Sequence, residues 1–354
     1  MSERTWMLYG AYGYTGKLVV EIARQRGFRP ILAGRSAAKL KPLAEEYGLD
    51  WLPLDLTDAA RLTDAVKQVN LVFHAAGPFI HTSQPMIEAC LAAGTHYVDI
   101  TGEIAVFEKI FTYDQMARER GVALIPGVGF DVVPTDCLAR YVADQVPGAT
   151  ELEIAFAALG STSPGTLKTT LEQSRGKGVV RRNGRLTALP YGDGMRRVRF
   201  SDKERTVMPV PWGDLATAYR STGIPNITTY MAFKPRLARA ARWVMPVVQQ
   251  AMAFGPVRDL VQMSVTQWVK GPDAQARQTG RSFIWARAAA VDGRSAEAWL
   301  ETLEGYQFTT LAGLRCVERI FEQSLSGALT PAQAFGADLV LEIPGTVRYD
   351  RLPV

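Results

Sequence analysis

Leu8-Tyr9-Gly10-Ala11-Tyr12-Gly13-Tyr14-Thr15-Gly16 stands close to the start of the chain. A short apolar run, Trp6 to Tyr9, precedes it and suits a buried parallel strand. Lys17 to Arg26 follows, with apolar residues at helical spacing. The three glycines therefore occupy a strand-to-helix turn, which is the context a dinucleotide-binding motif needs. Glycine permits the tight turn and the close approach of backbone to a pyrophosphate, and the open N–H groups of a helix start favour phosphate charge. On this reading Gly10, Tyr12, Gly13, Tyr14, Thr15 and Gly16 hold the phosphates.

The next strand, Pro30 to Ala33, ends in Gly34-Arg35-Ser36 rather than in the Asp or Glu that would bond the ribose 2′-hydroxyl of NAD. A guanidinium there suits NADP(H). Arg35 can stack on the adenine and pair with a 2′-phosphate, and Ser36 adds a hydroxyl donor. The alternative is a solvated arginine ahead of a helix over Ala37 to Tyr47.

Outward from this unit the pattern keeps alternating. Strands are expected at Asp50 to Pro53, Leu71 to Ala75, His96 to Asp99 and Val122 to Pro126. Helices are expected at Asp58 to Val66, Gln84 to Ala93 and Val106 to Arg120. Six strands with intervening helices predict an α/β fold, a Rossmann doubly wound parallel sheet. Ligands of such sheets lie at the carboxyl ends of the strands, so the loops at Asp55, Ala76-Gly77-Pro78, Asp99 and Gly127 are the ones to inspect. Asp55 faces the adenine or caps the following helix. Ala76, Gly77 and Pro78 let backbone approach the nicotinamide ribose.

At 354 residues the chain exceeds the usual single core, so two lobes are expected. The first is a Rossmann domain over 1–135. The second, 136–328, is read as an α+β substrate or dimerisation domain, because its pattern changes to a mixed or antiparallel sheet. Hairpins are expected at Val179 to Leu189, turning at Asn183-Gly184, and at Ser282 to Leu303 through Asp292-Gly293. Ala216 to Tyr219 reads as a strand, Pro164 to Gly176 and Gln307 to Ser324 as helices. A tail over 329–354 has strand character at Thr330 to Tyr349; a return to the first lobe is one placement for it, which the sequence leaves open.

The net charge of +5 is spread along the chain without an aromatic-interleaved basic tract, which disfavours nucleic acid and suits anionic small molecules. Three distant cysteines, Cys90, Cys137 and Cys316, fit a reducing compartment. No signal peptide precedes the first strand and no apolar run reaches spanning length, so a cytoplasmic protein is expected. Trp243 to Val257 reads as amphipathic helix for core or lid packing, with a membrane surface as the lesser alternative. A homodimer through the second lobe is the oligomer considered.

Four residues stand out for chemistry. His81 follows Gly77-Pro78-Phe79-Ile80 in a loop expected to face the nicotinamide, where a near-neutral imidazole suits proton transfer. Asp131, in Gly127-Val128-Gly129-Phe130-Asp131-Val132-Val133-Pro134, is either a functional carboxylate or a cap for the following helix. Tyr219 can donate a proton and Arg220 can grip a carboxylate or phosphate. Lys168 is a weaker candidate. The three histidines, His74, His81 and His96, lack metal-ligand spacing, and no metal is expected.

Taken together, the glycine turn, Ala33-Gly34-Arg35, Ala76-Gly77-Pro78-Phe79, Tyr97-Val98-Asp99-Ile100-Thr101-Gly102-Glu103 and Gly129-Phe130-Asp131-Val132-Val133-Pro134 resemble the saccharopine dehydrogenase-like oxidoreductases. In the second lobe Tyr219-Arg220-Ser221-Thr222-Gly223-Ile224-Pro225, Gly280-Arg281-Ser282, Glu304-Gly305-Tyr306 and Gly327-Ala328-Leu329-Thr330-Pro331 are similar to the subgroup that includes trans-acting enoyl reductases. The resemblance implies an NADPH-dependent oxidoreductase that reduces a C=N or C=C bond of a small or lipid-like substrate in the cleft between lobes. The alternative is a non-catalytic NADP-binding protein that docks on a membrane or partner.

Overall fold

Every residue of Trp6–Tyr9 is buried, as a strand covered on both faces of a parallel sheet requires. A computed structural model of the chain describes residues 5–158, 178–190, 192–235, 250, 254–255 and 271–352. The helix expected over Pro164 to Gly176, with Lys168, and nearly all of Trp243 to Val257 lie outside the described residues. The opening elements are β1 (Trp6–Tyr9), α1 (Tyr14–Gln25), β2 (Ile31–Gly34), α2 (Ala37–Tyr47), β3 (Trp51–Pro53), α3 (Ala59–Val66), β4 (Leu71–His74), α4 (Phe79–Ala93), β5 (His96–Asp99), α5 (Ile104–Phe111), α6 (Asp114–Glu119), β6 (Ala123–Ile125) and α7 (Val133–Asp144). The later elements are β7 (Glu151–Ala158), β8 (Gly178–Arg182), β9 (Arg185–Leu189), β10 (Arg196–Arg199), β11 (Glu204–Pro209), α8 (Asp214–Thr222), β12 (Asn226–Ala232), α9 (Ala274–Thr279), β13 (Arg281–Ala289), β14 (Ser295–Leu303), α10 (Gly305–Glu322), β15 (Gly327–Ala328), α11 (Pro331–Phe335) and β16 (Val347–Tyr349).

The first sheet runs β15-β6-β5-β4-β1-β2-β3. All of its pairings are parallel. This is the Rossmann order expected of the alternating pattern, with its switch point between β1 and β4. One face carries a cluster that includes Tyr9, Leu62, Val72, Met86, Ile87, Tyr97, Val106 and Ile110. The seventh strand comes from far along the chain: Gly327 donates to Val122 O at 2.8 Å and Leu329 to Leu124 O at 3.0 Å.

The second sheet runs β10-β11-β12-β7-β13-β14-β16, with the β8–β9 hairpin attached to β12. Only β7 and β12 pair in parallel among its described strands. The mixed, largely antiparallel sheet of the second lobe agrees with the expected α+β architecture. Asn183 and Gly184 both adopt positive φ at the β8–β9 turn, as that two-residue hairpin needs.

Three expectations are corrected. Ala216 to Tyr219 is not a strand but part of α8, where Leu215, Ala218 and Ser221 are buried at helical spacing and Gly223 closes the helix at φ 72. The stretch after Thr330 is mostly helical. Thr330 and Gln333 form a reciprocal capping box for α11, and only Val347–Tyr349 pairs as strand. The chain also divides differently from the expected 1–135, 136–328 and 329–354. One compact unit comprises Met1–Val133 with Tyr306–Gly336, the other Pro134–Gly305 with Ala337–Val354.

The helix α10 joins the first unit through close packing. A Cβ on Gly313 would stand 2.6 Å from Cζ of Phe73, a fully buried ring of β4. Thr309 Oγ1 accepts from Phe130 N at 2.9 Å. Gly313→Val is expected to lower stability by about 2–3 kcal/mol through overpacking. In a Phe73→Ala background the same change should cost clearly less, because the valine then enters vacated space. Equal costs in both backgrounds, read from urea midpoints, would separate Gly313 from Phe73.

Candidate functional site

The glycine turn is built by steric exclusion. Gly10 sits at φ +88, and a Cβ there would lie 2.8 Å from the Ala75 carbonyl carbon. A Cβ on Gly16 would lie 2.3 Å from Gly10 O, so α1 can approach the turn only with glycine at that position. Gly10 donates to Ala33 O at 2.8 Å and Gly13 to Gly10 O at 2.9 Å, which ties the turn to the end of β2. No side chain caps α1 at Gly13. The positive end of that helix is therefore left to an anion.

The end of β2 supplies the groups expected for a 2′-phosphate. Arg35 is exposed, and no ion pair engages it among the described residues. Ser36 begins α2 without a side-chain cap bond. Gly34 is obligatory here, because its Cβ would stand 2.7 Å from Cε1 of Tyr12. The Tyr12 ring thus lies across the strand end. Lys39 Nζ sits 5.6 Å from the centre of that ring, so a second cation joins Arg35 in the segment that follows the strand. Lys39 was not singled out in the sequence; its signal was position, one turn into the helix that follows Arg35. These residues fit an adenosine carrying an extra phosphate.

Asp55 does not cap α3. Its Oδ1 accepts from Thr57 N at 2.9 Å and Thr57 Oγ1 at 2.8 Å, and these bonds hold its carboxyl below the usual range. Asp58 caps the helix instead, accepting from Arg61 N.

Ala76, Gly77 and Pro78 leave β4 and are anchored from outside. Glu103 accepts from Phe79 N at 2.8 Å and Ile80 N at 2.9 Å, capping α4 with a carboxylate from the β5–α5 loop. Thr82 Oγ1 donates to Ala76 O at 2.7 Å. With that remote cap, α4 begins at Phe79, earlier than Gln84-Pro85 suggested. His81 is corrected accordingly: it lies exposed in the first turn of α4, not in a loop.

Beneath these loops runs a buried polar chain. Tyr97 donates to Asp99 Oδ2 at 2.7 Å, so its oxygen accepts from His74 Nδ1 at 3.1 Å. Burial pushes the His74 pKa down to about 3, and the imidazole stays neutral. Asp99 Oδ1 also accepts from Thr101 N and Gly127 N, each at 2.9 Å. Burial outweighs these donors and raises its pKa to about 6.

Asp131 differs. Among the described residues its carboxyl makes no hydrogen bond, so the capping reading is not realised. A Cβ on Gly102 would stand 2.9 Å from its Oδ2, so glycine at 102 makes room for the acid. Burial alone raises its pKa to about 7. Tyr219 and Arg220 lie on α8 of the second unit. Tyr219 is occupied structurally: the Arg181 guanidinium stands 4.3 Å from its ring centre, and its hydroxyl borders Gly184.

Residues 6–125 match the saccharopine dehydrogenase NADP binding domain. A saccharopine dehydrogenase-like oxidoreductase of Bos taurus is 30% identical over 45% of this chain and 42% of its own length. A trans-acting enoyl reductase of Mycobacterium bovis is 36% identical over 37% of this chain and 33% of its own. The matched stretch thus spans less than half the length of these curated relatives. Saccharopine dehydrogenase (L-Glu forming) from Saccharomyces cerevisiae shares the fold, with a TM-score of 0.64, 11% identity and 96% of both chains covered. The resemblance read from the motifs is borne out in these matches, and the NADP-binding match falls within the first unit.

Two expected outcomes follow. Arg35→Asp should weaken NADPH binding at least tenfold by nicotinamide fluorescence and narrow the preference over NADH. Lys39→Ala should weaken NADPH by a smaller factor and leave NADH unchanged. A Lys39→Ala effect equal for both nucleotides would remove it from the 2′-phosphate. For stability, Asp99 and Asp131 keep their protons to higher pH in the folded than in the unfolded chain. Folding therefore takes up protons, and stability should fall as pH rises from about 4 to about 7. Asp131→Asn should flatten the upper part of that slope; an unchanged slope would mean that Asp131 is ionised throughout.

Proposed function

We propose that this chain, whose residues 6–125 match the saccharopine dehydrogenase NADP binding domain, is an NADPH-dependent reductase of a C=N or C=C bond in which Asp131 supplies the proton. The observation that carries the reading is a partly buried carboxyl with no hydrogen bond among the described residues, pushed up to about 7 by desolvation, on the loop that follows β6. A general acid works best when its pKa lies near the working pH. When bound, NADPH supplies the hydride.

The residues of this chain have separable tasks. Gly10, Gly13 and Gly16 bring backbone to the pyrophosphate, with Tyr12, Tyr14 and Thr15 around it. Arg35, Ser36 and Lys39 select the 2′-phosphate. Ala76, Gly77 and Pro78, held by Glu103, border the nicotinamide ribose. The Asp131 proton goes to the imine nitrogen or to the carbon next to the enoyl carbonyl, leaving a carboxylate that takes a proton back from water. His81 is a secondary candidate for that return. Tyr219, stacked under Arg181, and Arg220 lie on α8 of the second unit and are given no part in this step.

The test is NADPH oxidation at 340 nm with imines formed from 2-oxo acids and amines, and with enoyl thioesters. Turnover with one class is expected, with kcat falling above about pH 7. Asp131→Asn should lose about 10²–10⁴-fold in kcat while NADPH affinity is unchanged. Tight NADPH binding with no turnover in either panel would favour the non-catalytic NADP-binding alternative. An Asp131→Asn enzyme of full activity would place the donor elsewhere.

A further inference from the structure

In the second unit, outside every residue assigned above, a cavity of about 430 Å³ is lined by Arg196, Arg197, Arg199 and Arg351 with Trp285 and Trp299. Its size falls in the range of small-molecule sites. Trp285 and Trp299 are directly opposed in the β13–β14 register. Both indole N–H groups are spent internally: Trp285 donates to Glu297 Oε2 at 2.9 Å, and Trp299 to Arg199 O at 2.7 Å. The rings are thereby fixed and offer apolar faces rather than donors.

The cations divide into two kinds. Arg196 pairs with Glu153 and lies over Trp285, 5.4 Å from its ring centre. Arg197 pairs with Glu204 at 2.6 Å. Arg199 and Arg351 form no ion pair among the described residues. The lining carboxylates, Glu297 and Asp350, are engaged by Trp285 and by the Tyr141 hydroxyl, the latter at 2.8 Å. Glu297 and Asp350 keep their charge under these neutral donors, so the lining carries no large net charge; what it offers an oxyanion is two exposed guanidiniums with no ion pair among the described residues, beside two fixed indole faces.

We infer that this cavity binds a small organic oxyanion, a phosphate or carboxylate carried on a flat apolar group, with Arg199 and Arg351 on the oxyanion and the indoles against the flat group. Guanidinium planes match both oxyanions in bidentate geometry. The inference does not depend on the reductase reading, because no cofactor-binding residue takes part.

The test uses phenyl phosphate, benzoate and benzyl alcohol in calorimetric titrations of the full chain, with NADP(H) present in excess to occupy any nucleotide site. Saturable binding of phenyl phosphate or benzoate is expected, and which of them binds more tightly identifies the oxyanion. The alcohol should bind at least tenfold more weakly. Arg199→Ala/Arg351→Ala should lose at least tenfold in oxyanion affinity. Both positions are exposed, so the thermal midpoint and NADPH affinity should be unchanged. No saturable binding of either anion, equal affinity for the alcohol, or an unaffected double variant would each overturn the inference.

Discussion

The carboxylate of Asp99 is the constraint on which the candidate site depends. It stands at the end of β5 and takes a hydroxyl from its own strand, an N–H from the β5–α5 loop and an N–H from the β6–α7 loop. Its backbone oxygen takes a fourth donor, Val128 N, at 2.7 Å. Two loops that would otherwise be independent are therefore fixed to one buried group. Through Thr101, whose hydroxyl accepts from Glu103 N, the same network sets the residue that caps α4 and so holds Ala76-Gly77-Pro78. A buried polar network of this kind rigidifies when its members are satisfied.

Most of the cofactor end was legible because its chemistry is local. A strand, three glycines and a helix are contiguous, and the Arg that replaces an acid lies at the end of the very next strand. Gly34 shows where legibility stops. Its necessity comes from the Tyr12 ring, twenty-two residues earlier, and no spacing rule links the two. Lys39 likewise gains meaning only once Tyr12 is seen beneath it.

Most of the misreadings share a cause, an element defined by a partner distant in sequence; α8 is the exception. The start of α4 depends on Glu103, so Gln84-Pro85 looked like the helix start and His81 looked like loop. The strand Gly327–Ala328 is two residues long and exists because Val122 and Leu124 offer carbonyls. The helix α10 belongs with the first unit because Gly313 admits Phe73. In α8, the local signals were present in the Ala-rich run and in Gly223, but Tyr219 and its β-branched neighbours suggested a strand.

Asp55, Asp99 and Asp131 end or follow three strands of one sheet, and their environments separate their roles. Asp55 is exposed to solvent and has two donors from Thr57, which keep it ionised and make it a local turn former. Asp99 is fully buried with three donors, which oppose the effect of burial on its carboxyl without overcoming it and would be lost if it moved. Asp131 is only partly buried and has no hydrogen-bond donor among the described residues, and desolvation pushes its carboxyl up to about 7. A carboxyl held as Asp99 is serves the fold through the loops it ties together, whereas one without a protein partner can exchange a proton without breaking any such tie. That difference is why the proton donor is proposed at Asp131 and not at Asp99.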